Sequence, residues 1–282
     1  LRLTNATGGA SFGLSNATLS IVDNDGAGGV DFAFDPVVGF DKTVFAVVQQ
    51  TNGQLVAAGQ FTTFNGLSRN KLARLNLDGS LDTSFNTGLG ADTNINALVL
   101  QPDGRFVIAG DFTSVGGSLR SRVARLLADG SLDTSFSVGS GANGSVNAMA
   151  LQADGKVLIG GGFTSYNGSV SNSTRIARLN SSGSLDTTFN TGTNGANGFV
   201  NAITLYTTGT NAGKVLVGGS FTTFSGTAVT RIVRLTASGT IDFTFNTGTG
   251  ANSTVASISI QTDGKIVIGG LYGTINGVPR SR

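Results

Sequence analysis

The sequence predicts an all-β protein assembled from repeated antiparallel sheets, and three observations carry that prediction. A motif of turn glycine, apolar strand and Gly-x-aromatic recurs five times. It reads Gly53-Gln-Leu-Val-Ala-Ala-Gly-Gln-Phe61, then Gly104 to Phe112, Gly155 to Phe163, Gly213 to Phe221 and Gly264 to Tyr272. Successive turn glycines are 51, 51, 58 and 51 residues apart. No stretch of the 282 residues carries the apolar periodicity of a long amphipathic helix, while 43 glycines stand against 3 prolines. A period of this length with strand chemistry throughout belongs to a blade or an array, not to a single enzyme core.

The second unit shows how one repeat is built. Ile95–Gln101 is a short strand with an apolar centre, and Pro-Asp-Gly104 follows as a tight turn, because glycine accepts positive φ. Arg105–Phe112 is a second strand, apolar on both faces and so expected to lie between neighbouring sheets. Thr-Ser-Val-Gly-Gly117 makes a loop, and Arg122–Leu127 is a third strand. Asp129-Gly130 turns into Ser-Leu-Asp133-Thr-Ser-Phe136, a short fourth strand. Four antiparallel strands in about fifty residues describe a propeller blade.

The other units keep this grammar. Their first turns are Asn52-Gly53, Asp154-Gly155, Ala212-Gly213 and Asp263-Gly264, and their last turns are Asp78-Gly79, Ser182-Gly183 and Ser238-Gly239. Extra residues fall only between strands, as a strand framework requires. A lone blade has two apolar faces and bare edges; stacking blades around an axis covers both faces. The expectation is about five four-stranded blades, with an open solenoid as the weaker alternative. The small residues of the second strands (Ala58, Gly59, Ala109, Gly110, Gly160, Gly161, Gly218, Gly219) are expected to suit crowding near a central channel.

The composite of Gly155–Phe163, Arg175–Asn180 and Gly183–Asn190 resembles the bacterial delta-60 repeat, and the likeness runs over residues 30–282. That resemblance implies a propeller in a large secreted or surface protein, and it carries no catalytic residue. Ahead of it, the alternating segment ending in Ile21-Val-Asp23-Asn-Asp25 resembles the final hairpin of a Calx-β sandwich. The expected organisation is a Calx-β-like hairpin over residues 1–26 and propeller repeats over 27–282. The last repeat is cut short, since Asn276–Arg282 aligns with Asn65–Lys71, where the first repeat continues into Leu72-Ala-Arg-Leu75. A fragment of a longer protein is the expectation. Val30–Phe34 resembles the fourth-strand motif Leu81–Phe85 and is expected to complete the last blade.

Composition narrows the chemistry. Cysteine and histidine are both absent, so no thiol nucleophile, disulfide, Cys/His zinc site or Ser-His-Asp triad can be built from these residues. Charged residues make up 12% of the chain, 18 basic against 16 acidic, with no basic run interleaved with aromatics, which argues against nucleic acid. No apolar run reaches the length of a transmembrane helix.

Four sets of residues are candidates for function. Arg74, Arg125, Arg178 and Arg234 recur in the third strand, and Asp82, Asp133, Asp186 and Asp242 open the fourth. They read either as a charged ring for a ligand or as a structural pair in each blade; the structural reading is preferred, because a residue in every unit serves what every unit shares. Asp23 and Asp25 are Ca²⁺ candidates: in Calx-β domains acidic residues at this position can bind the ion, though a solvated turn between domains is the simpler reading. Phe64, Val115, Tyr166, Phe224 and Ile275 hold equivalent loop positions and either form an exposed rim or pack beneath their own loops. The acidic residues outside the repeated motifs are Asp35, Asp41, Asp92 and Asp111, few for a glycosidase-type pair. The expectation is a non-enzymatic extracellular module of a bacterial cell-surface or secreted protein, such as an adhesin or appendage, whose partners are other surface proteins or copies of itself. A carbohydrate-binding propeller recognising glycans is the alternative, although the tryptophan such sites favour is absent.

Overall fold

The computed structural model describes residues 39–170, 173–189 and 195–280. The Calx-β-like segment 1–26, with Asp23 and Asp25, and the expected closing strand Val30–Phe34 lie outside them.

Each unit begins with a six-residue strand paired antiparallel to a five-residue second strand. These pairs are Val44–Gln49 with Leu55–Gly59, Ile95–Leu100 with Phe106–Gly110, Val146–Leu151 with Val157–Gly161, Val200–Leu205 with Val215–Gly219, and Val255–Ile260 with Ile266–Gly270. The connecting turn closes through bonds such as Gly53 N–H to Gln50 O at 2.9 Å, with Gly53 at φ 87°. An L-residue there would be strained, which is why the Asn-Gly and Asp-Gly pairs recur. Four units add a third strand on the far side of the second: Leu72–Leu75, Val123–Leu126, Ile176–Leu179 and Ile232–Leu235. The only helical element among the described residues is a 3-10 turn at Gly209–Asn211, inside the long turn of the fourth unit.

The expected fourth strand is reduced to one antiparallel bridge per unit: Leu75↔Leu81, Leu126↔Leu132, Leu179↔Leu185 and Leu235↔Ile241. The aspartate that follows explains why. Asp133 N–H still reaches Arg125 O at 2.9 Å, but its carboxylate then accepts from Ser135 N at 2.9 Å and Ser135 Oγ at 2.6 Å. That Asx turn folds the chain inward and delivers Phe136 to the core.

The first strands pack on one another in sequence order, from Val44–Gln49 through Ile95–Leu100, Val146–Leu151 and Val200–Leu205 to Val255–Ile260. All five carry a register shift two residues in, a β-bulge, at Val44/Ala46, Ile95/Ala97, Val146/Ala148, Val200/Ala202 and Val255/Ser257. This arrangement revises the role of the small second-strand residues. A Cβ on Gly161 would meet the backbone at Ser145 O, and one on Gly219 would meet Phe199 O, so the second glycine of each pair makes room for the bulge of its own unit. The first position, Ala58, Ala109, Gly160 or Gly218, instead faces the next unit. The crowding lies within and between sheets.

Candidate functional site

The recurring charges form one cluster per unit. Arg74, Arg125, Arg178 and Arg234 each donate Nε–H to Oδ2 of Asp82, Asp133, Asp186 and Asp242 at 2.8 Å. The antiparallel register brings the pair together, since residue 125 stands beside the bridge Leu126↔Leu132 and the aspartate follows it directly. Each guanidinium also lies over the phenylalanine that ends its unit, at 4.7 Å for Phe85 and Phe136 and 4.8 Å for Phe189 and Phe245. A second cation joins three of the carboxylates: Lys156 reaches Asp186 at 2.8 Å, Lys214 reaches Asp242 at 2.7 Å, and Arg105 stands 3.8 Å from Asp133. In the first unit Gln54 Nε2 donates to Asp82 at 2.9 Å instead.

These carboxylates are held ionised. For Asp82, burial works against the charge, but the bonds from Ser84 and then Arg74 outweigh it and bring the group down to about 2. Asp133 and Asp186 are likewise lowered against burial, by Ser135 and Arg125 and by Lys156, Thr188 and Arg178. Lys214 is the largest influence lowering Asp242. A carboxylate this firmly paired is a poor proton donor or base at neutral pH.

Three of the arginines also bridge units. Arg74 Nη1 donates to Ala128 O at 2.9 Å, Arg125 Nη1 to Ser181 O at 2.6 Å and Arg178 Nη1 to Ala237 O at 2.8 Å. The acceptors all lie in the turn after the next unit's third strand, so the cluster fastens each unit to its successor. The structural reading of the Arg–Asp pair accounts for every one of these contacts.

Asp41 and Asp92 are not unit-specific, contrary to the sequence reading. Asp41 Oδ1 accepts from Thr62 N at 2.7 Å and Thr63 N at 2.9 Å, while Thr62 Oγ1 donates to Oδ2 at 2.6 Å. Asp92 holds Thr113 in the same way, and Asn143, Asn197 and Asn252 occupy this place in the later units. With asparagine the hydroxyl reverses its role, as Asn143 Nδ2 donates to Thr164 Oγ1 at 2.9 Å. The Thr62 hydroxyl, followed by the Thr63 amide, draws Asp41 down to about 2. The repeat was hidden because the clip alternates between an acid and its amide. Asp111 lends its backbone carbonyl to Arg122, and Asp35 lies outside the described residues.

A second recurring feature escaped sequence reading. Lys71, Arg122, Arg175 and Arg231 all adopt positive φ, between 66° and 69°. Side chains of the first three donate back to the carbonyls of Gln60, Asp111 and Gly162, and Arg175 lies 5.1 Å over Phe199 of the next unit. A basic residue three places before the third-strand arginine was the available signal.

Of the loop positions, Phe64, Val115, Tyr166 and Phe224 are buried and Ile275 is half-buried, so they pack beneath their loops. Tyr166 Oη donates to Gly183 O at 2.9 Å, and burial pushes its phenol up. Just after them Leu67, Leu119 at 82% exposure, Val170 and Val278 are exposed, and Leu77, Leu89, Phe199, Phe243 and Leu271 are exposed elsewhere. The hairpin residues do not share one register: Leu67 pairs with Phe64, whereas Leu119 pairs with Ser114 and Ser118 takes the place of Leu67.

Among the described residues no group of three or more His, Cys, Asp or Glu side chains is placed to hold a metal ion. None of their helices is long and apolar enough to cross a membrane. A shallow cleft of ≈ 530 Å³ lies where the second and third units meet, lined by Asp103, Arg105, Arg125, Ser135, Ser181 and Ser182 among others.

Bulged first strands stacked in order, each backed by an antiparallel sheet, define a β-propeller repeat protein. The chain belongs to the family described as a domain of unknown function (DUF5122) beta-propeller, which matches residues 50–85, 101–136, 152–189, 213–245 and 261–282. No curated protein matches its sequence. Among solved structures it is similar to the WD40 beta propeller domain of Doa1, at 14% identity and a TM-score of 0.52, over 82% of this chain and 61% of that one. It thus spans about three-fifths of that domain. It is also similar to a gluconolactonase from Xanthomonas campestris, at 12% identity and a TM-score of 0.42, over 82% of this chain and 84% of that one. The likeness to the Doa1 domain speaks for the fold alone.

Proposed function

We propose that this chain is a non-enzymatic scaffold and interaction module of a large bacterial cell-surface or secreted protein, an adhesin or appendage component. The observation that carries this reading is the set of exposed apolar side chains on the hairpins. Leu67, Leu119, Val170 and Val278 are exposed there, while the residues beneath them are buried. Exposed apolar groups on several hairpins offer contact area to another protein. The repeated charges are engaged with one another and with the next unit, so in this reading recognition falls to the hairpins. The resemblance to delta-60 repeats, and of residues 1–26 to the end of a Calx-β domain, supports the location. In the same reading Asp23 and Asp25 bind Ca²⁺ with ligands from the rest of the sandwich, and calorimetric titration of the longer protein, with and without both aspartates, tests it.

The module is tested by adding it, purified, to cells that display its parent protein. It should compete with their attachment, and a Leu67→Ser, Leu119→Ser, Val170→Ser variant should not. Equal competition by a folded variant would refute the role of the hairpins. The cleft beside Arg105 and Ser135 favours a second reading, glycan binding, because its lining offers hydrogen-bond donors and acceptors together. Binding on a glycan array that is lost in Arg105→Ala would support that reading over the scaffold.

A further inference from the structure

We propose that the sheet end carrying the hairpins docks on a lipid bilayer with anionic headgroups. Lipid is a partner distinct from the protein proposed above, and its recognition does not depend on that reading.

Every sheet has the same two ends. At one end the first strand begins, the second ends and the third begins, as the pairs Ile95↔Gly110 and Val123↔Ala109 set out in the second unit. The hairpins Thr63–Phe64 with Leu67–Ser68 and Ser114–Val115 with Ser118–Leu119 lie between the second and third strands, at that same end. At the other end are the turns marked by Gly53, Gly104 and their equivalents, together with the Arg–Asp clusters.

Charge is sorted between these ends. At the turn end every cation is paired: the four cluster arginines, Arg105, Lys156 and Lys214 with the cluster carboxylates, and Lys265 with Asp263 at 2.7 Å. At the hairpin end Arg69, Lys71, Arg120, Arg122, Arg175 and Arg231 take part in none of the ion pairs among the described residues. The hydrogen bonds that hold them run to backbone carbonyls. Arg69 donates to Ser68 O at 2.7 Å, Arg120 to Leu119 O at 2.8 Å and Arg175 to Gly162 O at 2.6 Å. A carbonyl orients a cation but leaves its net charge in place. The described carboxylates of this end are Asp41, Asp92 and Asp111, and the first two are occupied by Thr62 and Thr113. Because Lys71, Arg122, Arg175 and Arg231 recur at positive φ in four successive units, the excess charge belongs to the repeat and not to the limits of the array.

Apolar side chains stand among these cations. Leu67 and Leu119 are exposed beside Arg69 and Arg120. Leu89, 72% exposed, lies against the second hairpin, where a Cβ on Gly117 would stand 3.5 Å from its Cδ1. Phe199, exposed in turn, lies 5.1 Å beneath the Arg175 guanidinium. Unpaired cations alone suit any polyanion, and the leucines decide among them. An acidic polysaccharide or a nucleic acid would meet the cations and leave the apolar groups in water. A bilayer interface takes both, with cations at the headgroup phosphates and apolar side chains at the acyl boundary. Such docking is peripheral and needs no spanning segment.

The test is cosedimentation of the 282-residue chain with vesicles of phosphatidylglycerol mixed into phosphatidylcholine, and with vesicles of phosphatidylcholine alone. The chain should bind the anionic vesicles, bind the neutral ones far less, and be released by salt. Each cation near an anionic surface strengthens binding about fivefold, so the double variant Arg69→Gln, Arg120→Gln should bind roughly 25-fold more weakly. Leu119→Ser should also weaken binding, at unchanged charge, while Lys265→Gln at the turn end should bind as the parent does. Circular dichroism checks that each variant is folded, and Leu119 and Lys265 are exposed enough to be replaced without cost to the core. Absence of binding, equal binding to neutral vesicles, or a Leu119→Ser or arginine variant that binds like the parent would overturn the proposal. Capture by polygalacturonate or duplex DNA without capture by anionic vesicles would overturn it as well.

Discussion

Replacing Asp133 with alanine tests the structural reading of the charge cluster most directly. Asp133 is 5% exposed and accepts from Arg125 Nε at 2.8 Å, from Ser135 N at 2.9 Å and from Ser135 Oγ at 2.6 Å. Removing one partner of a buried ion pair costs about 3–5 kcal/mol, because the other charge stays behind. Arg125 retains Ser181 O at 2.6 Å and the Phe136 ring at 4.7 Å, which favours the lower end, about 3 kcal/mol. Losing the Asx turn adds about 1 kcal/mol. For a domain of this size each kcal/mol lowers Tm by roughly 2–4 °C, so the variant should melt roughly 8–16 °C below the parent. Thermal and urea unfolding followed by circular dichroism measure the loss. Amide exchange should locate it in Val123–Leu126 and the neighbouring turn at Ser181. The double variant Arg125→Leu, Asp133→Ala should recover part of the stability, since no unpaired charge then remains. If Asp133→Ala lies within about 0.5 kcal/mol of the parent, the range of an ordinary surface change, the reasoning fails.

Further outcomes follow from the same geometry. Gly161→Ala should cost about 3 kcal/mol, since its Cβ meets backbone at Ser145 O, while Gly160→Ala should cost about 2 kcal/mol, since it presses on the side chains of Val200 and Ile203, which can shift where backbone cannot; urea midpoints rank the two. Asp92→Asn should leave stability within about 0.5 kcal/mol because Asn143 already performs that clip, whereas Asp92→Ala should lose about 1 kcal/mol by the same assay. Stability should also fall with acid. The folded pKa of Asp82 is lowered to about 2 from 3.8, so its contribution is fully present above about pH 4 and disappears as pH drops through 2, a loss of about 2 kcal/mol. Urea midpoints measured from neutral pH downward should decline through that window, and a flat profile would show that these carboxylates are not stabilised in the fold.

The period, the turn glycines and the two central strands were legible because each has a local cause. Positive φ at Gly53 demands glycine, and a strand buried on both faces demands the unbroken apolar run of Phe106–Gly110. The fourth strand was over-read: Leu-Asp-Thr-Ser-Phe alternates like a strand, yet the Asp133 carboxylate competes with a neighbouring strand for the following amides and wins. Sequence could pair Arg125 with Asp133 by recurrence, but not foresee the bond to Ser181 across the junction, because no local pattern encodes a contact 56 residues away. The Asp41 clip stayed hidden for another reason: its acceptor oxygen is common to aspartate and asparagine, so geometry repeats where residue identity does not.

The arginine that spans two units has an evolutionary consequence. Each of the first four repeats carries its own aspartate and phenylalanine for the guanidinium, and the second, third and fourth also carry the turn carbonyl that receives the arginine of the repeat before. A stretch of gene duplicated in frame would bring both fittings with it, and the newcomer could be inserted anywhere in the series without inventing a single new interaction. Lineages can therefore lengthen or shorten such arrays readily, while the hairpin tips, bound by none of these obligations, are left free to diverge.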